Sequence, residues 1–486
     1  MKTLSSILQQ TSFELTQGDL AMEISSLTFD SRKAEKGSVF IAIVGTVSNG
    51  HDFVQAAYEL GCRAFVVEKN VGLPSDATII HVSKTDCALA ELACAFYDQP
   101  SKELKLVGIT GTNGKTTTTT LLHDLFTSLG YSCGLISTVV NKIGTVTSPS
   151  THTTPDPIRL NALLRSMVEQ GCSHCFMEVS SHAIHQQRIH GISYTGAVFT
   201  NITHDHLDYH KTFAEYIRVK KQFFDDLGPE SFALINGDDR NGSVMLQNTK
   251  AEKRSFALKT PSDFKGKVLE NEISGLTLTI NNVELCSRLV GEFNALNLLA
   301  VYGVSTLLGL DSMEVLRGMS NLASVEGRFQ YIRSQGGITA IIDYAHTPDA
   351  LENVLNTIAA IRKDGQKVIS VVGCGGDRDR DKRPVMAAIA AKKSQQVILT
   401  SDNPRTEDPM HILQEMEVGL SDENRSHSLT IVDRAQAIKT AIMLAQAGDI
   451  LLIAGKGHEK YQEINGVKHD FDDFQLTEEF FNQLKK

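Results

Sequence analysis

Residues 105–130, KLVGITGTNGKTTTTTLLHDLFTSLG, carry three consecutive signals. The apolar run that leads in, LKLVGIT, has the length and β-branched content of a buried strand. Gly111, Thr112, Asn113, Gly114, Lys115, Thr116 and Thr117 then form a glycine-flanked turn, and a helix-length segment follows. In that order the turn's backbone N–H groups, the helix N-terminus and the Lys115 ammonium converge on phosphate oxygens. The longer G-x-x-x-x-G-K-[ST] loop needs glycine at position 109, where Ile109 stands; Gly108 comes one residue early. G-x-x-G-K-T by itself also suits an ordinary turn. The strand, both glycines, the lysine and Thr116 agree on a nucleoside triphosphate loop, so the expected ligands are ATP and Mg²⁺, with the Thr116 hydroxyl on the metal.

Outward from this unit, short β-branched runs alternate with helix-length amphipathic segments, the pattern of parallel sheets covered by crossover helices. The fold class expected is α/β, in three domains. Residues 1–103 hold the strands SVFIAIVG and RAFVVEK; residues 104–333 form the central phosphate-loop domain; residues 334–486 form a Rossmann-like third unit with ITAIIDYAH, KVISVVG, QVILTS and DILLIAG. A net charge of -10 argues against a nucleic-acid surface. The eight cysteines are scattered along a long chain, unlike a secreted disulfide framework, and Cys172 and Cys175 form a lone C-x-x-C that reads as apolar filling. No signal peptide or membrane span is legible, so the expected setting is the cytoplasm, with small-molecule partners and neither nucleic acid nor membrane.

Mg²⁺ prefers hard oxygen ligands, and ligands gather at the carboxyl ends of parallel strands. CFMEVSSH offers Glu178 at such an end, and AVFTNITHDHLDYH offers His206 and Asp208 after another. A histidine in a loop of this kind also serves as a plain hydrogen-bonding residue.

GTNGKTT, MEVSSH, N-I-T-x-D-H-L-D-Y-H, GEFNALN, EGRF, DYAHTPDAL, GCGGDRDRDKRP, DNPR and GKGHE, in this order, resemble the Mur ligases over essentially the whole chain. The shortened phosphate loop is normal in that family. The resemblance implies an ATP-dependent amide ligase of peptidoglycan synthesis, acting through an acyl phosphate, expected as a monomer. It implies that Lys220 is carbamylated and joins Thr116, Glu178 and His206 around Mg²⁺, with Lys115 acting on the transferred phosphoryl group. On the residues alone, Lys220 and Lys221 read as solvated helix positions. The family pattern also implies Asn297, Arg328 and Asp343 as nucleotide contacts, and Phe29, Ser31, Thr46, Val47 and Ser48 as uridine contacts. Thr153, Thr154, Ser180, Gln186 and Arg188 would hold the muramoyl peptide; on physics Arg188 is the strongest, since a guanidinium grips a carboxylate with two parallel hydrogen bonds.

Three strand ends in the third unit lead into polar loops, which could bring Arg378, Arg405 and Glu459 to one pocket with Asp402, Asn403, Pro404 and Gly455. Alone, DRDRDKR reads as a solvated charge run. Two arginines and a glutamate suit a ligand with two carboxylates and an amine, and in the family DNPR is the form associated with meso-2,6-diaminopimelate, added to the D-glutamate γ-carboxylate of UDP-N-acetylmuramoyl-L-alanyl-D-glutamate. The rival expectations are a lysine-adding relative, a folylpolyglutamate synthase, a nucleotide-binding regulator and a dehydrogenase; for the last, GCGGDR places Arg378 where G-x-G-x-x-G needs glycine.

Overall fold

A computed structural model describes residues 2–45, 48–150 and 152–486. Three α/β bodies follow one another along it, each built on its own sheet. Lys105–Thr110 lies at the middle of an 11-stranded sheet, with His174–Glu178 on one side and Gly196–Phe199 on the other, both parallel to it. The chain leaves Lys105–Thr110, runs out to Cys133–Ile136, returns through His174–Glu178 and crosses to Gly196–Phe199. The winding direction therefore reverses around the phosphate-loop strand, and the crevice at its carboxyl end is where ligands collect in such sheets.

These inner strands are buried along nearly their whole length, as expected where helices cover both faces. On one face pack Leu121, Leu122, Leu125 and Phe126 of helix Lys115–Ser128 and Leu298, Leu299 and Val301 of helix Glu292–Leu307. On the other pack Leu160 and Leu164 of helix Pro157–Glu169 and Val219, Phe223 and Phe224 of helix Phe213–Asp225. The sheet's far edge is an antiparallel meander ending in Gly275–Ile280 and Val283–Ser287, where burial alternates residue by residue because only one side is covered.

The third sheet has six strands, in which Thr339–Asp343, Ile450–Ala454, Val368–Cys374, Gln396–Ser401 and Ser428–Thr430 run parallel. Its antiparallel edge strand, Gln330–Arg333, comes from just before residue 334. Helices Pro348–Ile361 and Lys382–Lys393 cover one face, Arg434–Leu444 and Asp473–Leu484 the other. The first sheet is five-stranded and contains Ser38–Ile41 and Ala64–Val67 from the two runs legible in the sequence. No helix among the described residues is long and apolar enough to cross a membrane.

Candidate functional site

The carboxyl ends of the central and third sheets open on one cleft of about 2170 Å³. At its base the phosphate loop is fastened to the end of Gly196–Phe199. Thr112 N donates to Asn201 O at 2.8 Å, Asn113 N to Asn201 Oδ1 at 2.9 Å, and Thr200 Oγ1 to Asn113 O at 2.6 Å. Gly111 sits at φ +153°, and a β-carbon there would lie 1.9 Å from Thr200 Oγ1, so only glycine permits this seam. Gly114, left-handed at φ +87°, begins helix Lys115–Ser128 without a side-chain cap. Most other long helices here are capped by Asp or Thr, as Asp156, Thr212 and Thr347 do. The uncapped N–H groups point to where an anion fits. Lys115 Nζ donates to Gly111 O at 2.9 Å and Thr112 O at 2.7 Å, and removal from water lowers its pKa against the pull of Glu178 and Asp205. Asn297 backs the loop, 2.6 Å from the place of a β-carbon on Gly114.

Around the loop stand the other charged groups. Glu178 is fully buried, and Thr138 holds its carboxylate through N at 2.7 Å and Oγ1 at 3.1 Å. Lys220 is 1% exposed, which overturns the solvated reading that its helix alone suggests. Its Nζ donates to Gly111 O at 2.9 Å and lies 4.7 Å above the Tyr216 ring. Burial, then the Lys115 charge, hold its pKa well below the usual lysine range. Lys221, next along the helix, pairs with Asp225 at 2.6 Å and keeps the plain role of a surface ion pair. His206 occupies a left-handed position at φ 54°, 3.4 Å from Asp205; loss of solvent brings its imidazole down to about 4, with Asp205 opposing. Arg328 donates to Thr116 Oγ1 at 3.1 Å, and Asp343 accepts from Phe329 N at 2.7 Å, its carboxyl pushed up to about 6 by burial. Among the described residues no group of three or more His, Cys, Asp or Glu side chains is arranged to hold a metal ion.

Thr153 and Thr154 lie beside Glu178: Thr153 Oγ1 is 3.0 Å from Thr138 Oγ1, and Thr154 Oγ1 donates to Glu178 O at 2.8 Å. Ser180 caps the short helix Ser181–His185. Arg188 reaches the cleft with its guanidinium fixed by Gln186 Oε1 at 3.0 and 2.6 Å and by Thr154 O at 2.9 Å. No carboxylate pairs with Arg188 among these contacts, and Gln186 stands behind it, outside the cleft lining. Phe29, Ser31 and Ser48 belong to the first body and do not line the cleft. Phe29 is 42% exposed. Thr46, Val47 and the side chain of Asp208 lie outside the described residues.

In the third body the structure brings Arg378, Asp402, Asn403, Arg405, Gly455 and Glu459 to the cleft wall. Pro404 is behind it, its carbonyl against Gly376, where a β-carbon would come within 2.0 Å. Arg405 takes φ 50° and donates from Nη1 to Gly376 O at 2.7 Å, with Glu463 at 3.5 Å from Nε. Asn403 Nδ2 donates to Glu459 Oε2 at 2.7 Å. Burial and the neighbouring Asp402 raise the Glu459 pKa. The charge run is not uniformly solvated: Arg378 is exposed, whereas Arg383 is fully buried between Glu407 at 2.8 Å and Glu415 at 2.5 Å. Sequence reasoning missed Asp349, whose carboxylate accepts from Asn113 Nδ2 at 2.9 Å and Thr203 Oγ1 at 3.0 Å and so ties the third body to the phosphate loop. It also missed Thr138, which lies in none of the quoted motifs; Asp349 does stand in one, DYAHTPDAL, but nothing there singles it out from Asp343.

A phosphate-loop parallel-sheet body joined through a charged cleft to a second parallel-sheet body defines a class of nucleotide-dependent enzymes. Family models match along the chain: Mur ligase family, catalytic domain, at residues 23–97; Mur ligase middle domain at 109–305; and Mur ligase, glutamate ligase domain, at 327–457. The UDP-N-acetylmuramoyl-L-alanyl-D-glutamate--2,6-diaminopimelate ligase of Cytophaga hutchinsonii is 52% identical over 485 residues, 99% of this chain and 100% of that one. A solved structure of a ligase of the same name is similar at a TM-score of 0.71 and 33% identity, covering 100% of this chain and 99% of the other. A MurF ligase from Thermotoga maritima, solved in complex with ADP, shares the fold at a TM-score of 0.63 and 19% identity, covering 95% of this chain and 98% of its own. The chain belongs to the Mur ligase family.

Proposed function

We propose that this protein is the ATP-dependent ligase that joins meso-2,6-diaminopimelate to the D-glutamate γ-carboxylate of UDP-N-acetylmuramoyl-L-alanyl-D-glutamate, in cytoplasmic peptidoglycan synthesis. One observation carries the reading: a phosphate loop and a pocket with two arginines beside two acids open on one cleft, in a chain 52% identical end to end to a ligase of that name. Residues 1–103 would bind the UDP-sugar, 104–333 the ATP and 334–486 the amino acid. A monomer is part of the same reading.

A carboxylate resists attack by an amine because it is anionic and lacks a good leaving group. In the reaction proposed, a γ-carboxylate oxygen attacks the γ-phosphorus and ADP departs, leaving an acyl phosphate. The amine then attacks the acyl carbon, the carbon–oxygen bond to phosphate breaks, and the nitrogen sheds a proton. Lys115 and Arg328 offset charge on the transferred phosphoryl group, usually the largest catalytic contribution in such sites. The uncapped helix start, Asn297 and Asp343 hold the nucleotide. Thr153, Thr154, Ser180 and Arg188 hold the peptide, with Gln186 aiming Arg188. Phe29, an exposed ring, suits stacking on the uracil, and Ser31, Thr46, Val47 and Ser48 are assigned to the uridine with it.

The residues present fit Mg²⁺, held by Thr116, Glu178, His206 and a carbamate on Lys220. Mg²⁺ supplies neutralisation of phosphate charge. Among the described residues no three acidic or imidazole groups converge, which leaves room in this reading for a further anionic oxygen. Lys220 can supply it, because burial lowers its pKa and so favours the neutral amine, the form that adds CO₂. The experiment is ADP release from UDP-muramoyl-dipeptide and ATP with either diaminopimelate or L-lysine. Release that needs both co-substrates and prefers diaminopimelate supports the reading; release with neither amino acid, or preference for lysine, overturns it.

A further inference from the structure

Lys456 is fully buried and does not line the cleft. Its ammonium sits behind the amino-acid pocket, 3.0 Å from Asn403 Oδ1, 3.3 Å from Glu459 Oε2 and 3.8 Å from Asp402 Oδ1. Each of these three partners does face the cleft. We propose that Lys456 is a positioning residue for amino-acid selection, whose buried charge sets Asn403 and Glu459 to receive the substrate's ammonium group.

Three observations support this beyond the proximity. First, Lys456 fixes the orientation of the Asn403 amide. With Oδ1 accepting from Lys456 Nζ and from Glu463 N at 2.9 Å, the Nδ2 end must face Glu459. Second, the charges do not cancel. Asp402 and Glu459 against Lys456 leave one net negative charge on this wall, and the nearby Arg434 is committed to Asp473 at 2.7 Å. An ammonium ligand completes the balance, while Arg378 and Arg405 remain for carboxylates. Third, the backbone admits little adjustment. Gly455 stands at φ +120°, and a β-carbon there would fall 2.5 Å from Asp402 Oδ2, so the segment carrying Lys456 is pressed against the acid it balances. Without Lys456, two carboxylates would share a buried wall with no cation to hold them ionised, and Asn403 would lose the partner that orients it.

The inference rests on the amino-acid pocket proposed above, and its test separates the two. KM for diaminopimelate, ATP and UDP-muramoyl-dipeptide, with kcat, is measured for the wild type, Lys456→Met, Glu459→Gln and the double variant. The expected result is a rise in diaminopimelate KM of about a hundred- to several-thousand-fold in Lys456→Met, the scale of stranding a buried charge. The other two KM values should stay within about threefold, and the double variant should be no worse than Glu459→Gln alone. An unchanged diaminopimelate KM, an equal rise in all three, or additive losses in the double variant overturns the proposal. If Lys456→Met has no cooperative thermal transition, Lys456→Arg decides: a diaminopimelate KM within about tenfold of wild type upholds a charge role, and a larger rise refutes it. Failure of the wild type to use diaminopimelate would refute the proposed substrate instead.

Discussion

The two ends of the cleft are built on opposite plans. The phosphate loop at the nucleotide end comes from one uninterrupted stretch, Thr110 to Thr117, braced by the neighbouring strand end at Thr200 and Asn201. The amino-acid end is assembled from loops around residues 378, 405 and 459, which meet only because three parallel strands end side by side. A local site depends on backbone conformation, so glycines and helix geometry decide it. A dispersed site depends on second-layer contacts that hold separate loops in register, and ion pairs carry much of that load here.

That contrast breaks most visibly at Lys115. Lys115→Ala should lower kcat by about a thousandfold or more, since it removes a cation from the phosphates. Folding should survive, because Asn201 and Thr200 still fasten the loop when the lysine's bonds to Gly111 O and Thr112 O are lost. Steady-state kinetics beside a thermal melt check this: normal ligation would remove Lys115 from the chemistry, and a collapsed melt would show that Lys115 braces the loop.

Next in size is Arg405. If its guanidinium pairs with the carboxylate that lysine lacks, Arg405→Ala leaves that charge unpaired at a cost of about 3–5 kcal/mol, a hundred- to several-thousand-fold in kcat/KM for diaminopimelate. Use of lysine should fall far less. Equal proportional losses for the two amino acids would mean that Arg405, left-handed and bonded to Gly376 O, only shapes its loop.

Lys220→Ala should cost about a hundredfold, and added acetate or another short carboxylate should restore part of the rate. Mass spectrometry of the active, metal-loaded enzyme checks the same point directly. An unmodified amine there, or no rescue, removes the carbamate.

What the sequence made legible follows the same division. The alternation of strands and helices and the phosphate loop are local signals, and both could be read directly. The burial of Lys220 could not, because adjacent helix positions point about 100° apart and only packing decides which of two lysines turns inward. Arg383 was hidden likewise inside a run of charges, although it is the buried hub of Glu407 and Glu415. Asp349 and Lys456 stand in the quoted segments DYAHTPDAL and GKGHE, yet nothing local shows what they bind; their partners lie 236 and 53 residues away, at Asn113 and Asn403. Such contacts exist only once the sheets are in place.

The smallest effect expected is on stability, and it sharpens the contrast at the amino-acid end. Glu407 accepts from the buried Arg383 at 2.8 and 3.0 Å and from Asp377 N at 2.6 Å, thereby fastening the loop that bears Arg378. The Arg383 hydrogen bonds bring its carboxyl from 4.5 down to about 2. A carboxylate with a depressed folded-state pKa stabilises fully above its unfolded value and loses that contribution as pH falls through its folded value. The Glu407 contribution should thus be complete above about pH 5 and fade between pH 4.5 and about 2. Glu407→Gln should lower the melting temperature by a few degrees at neutral pH. Melts of both proteins from pH 7 downward supply the check: the gap should narrow below pH 4.5, because acid removes from the wild type what the substitution has already removed. A gap that stays constant down to pH 2.5 would assign the loss to packing and leave the loop without an electrostatic fastening.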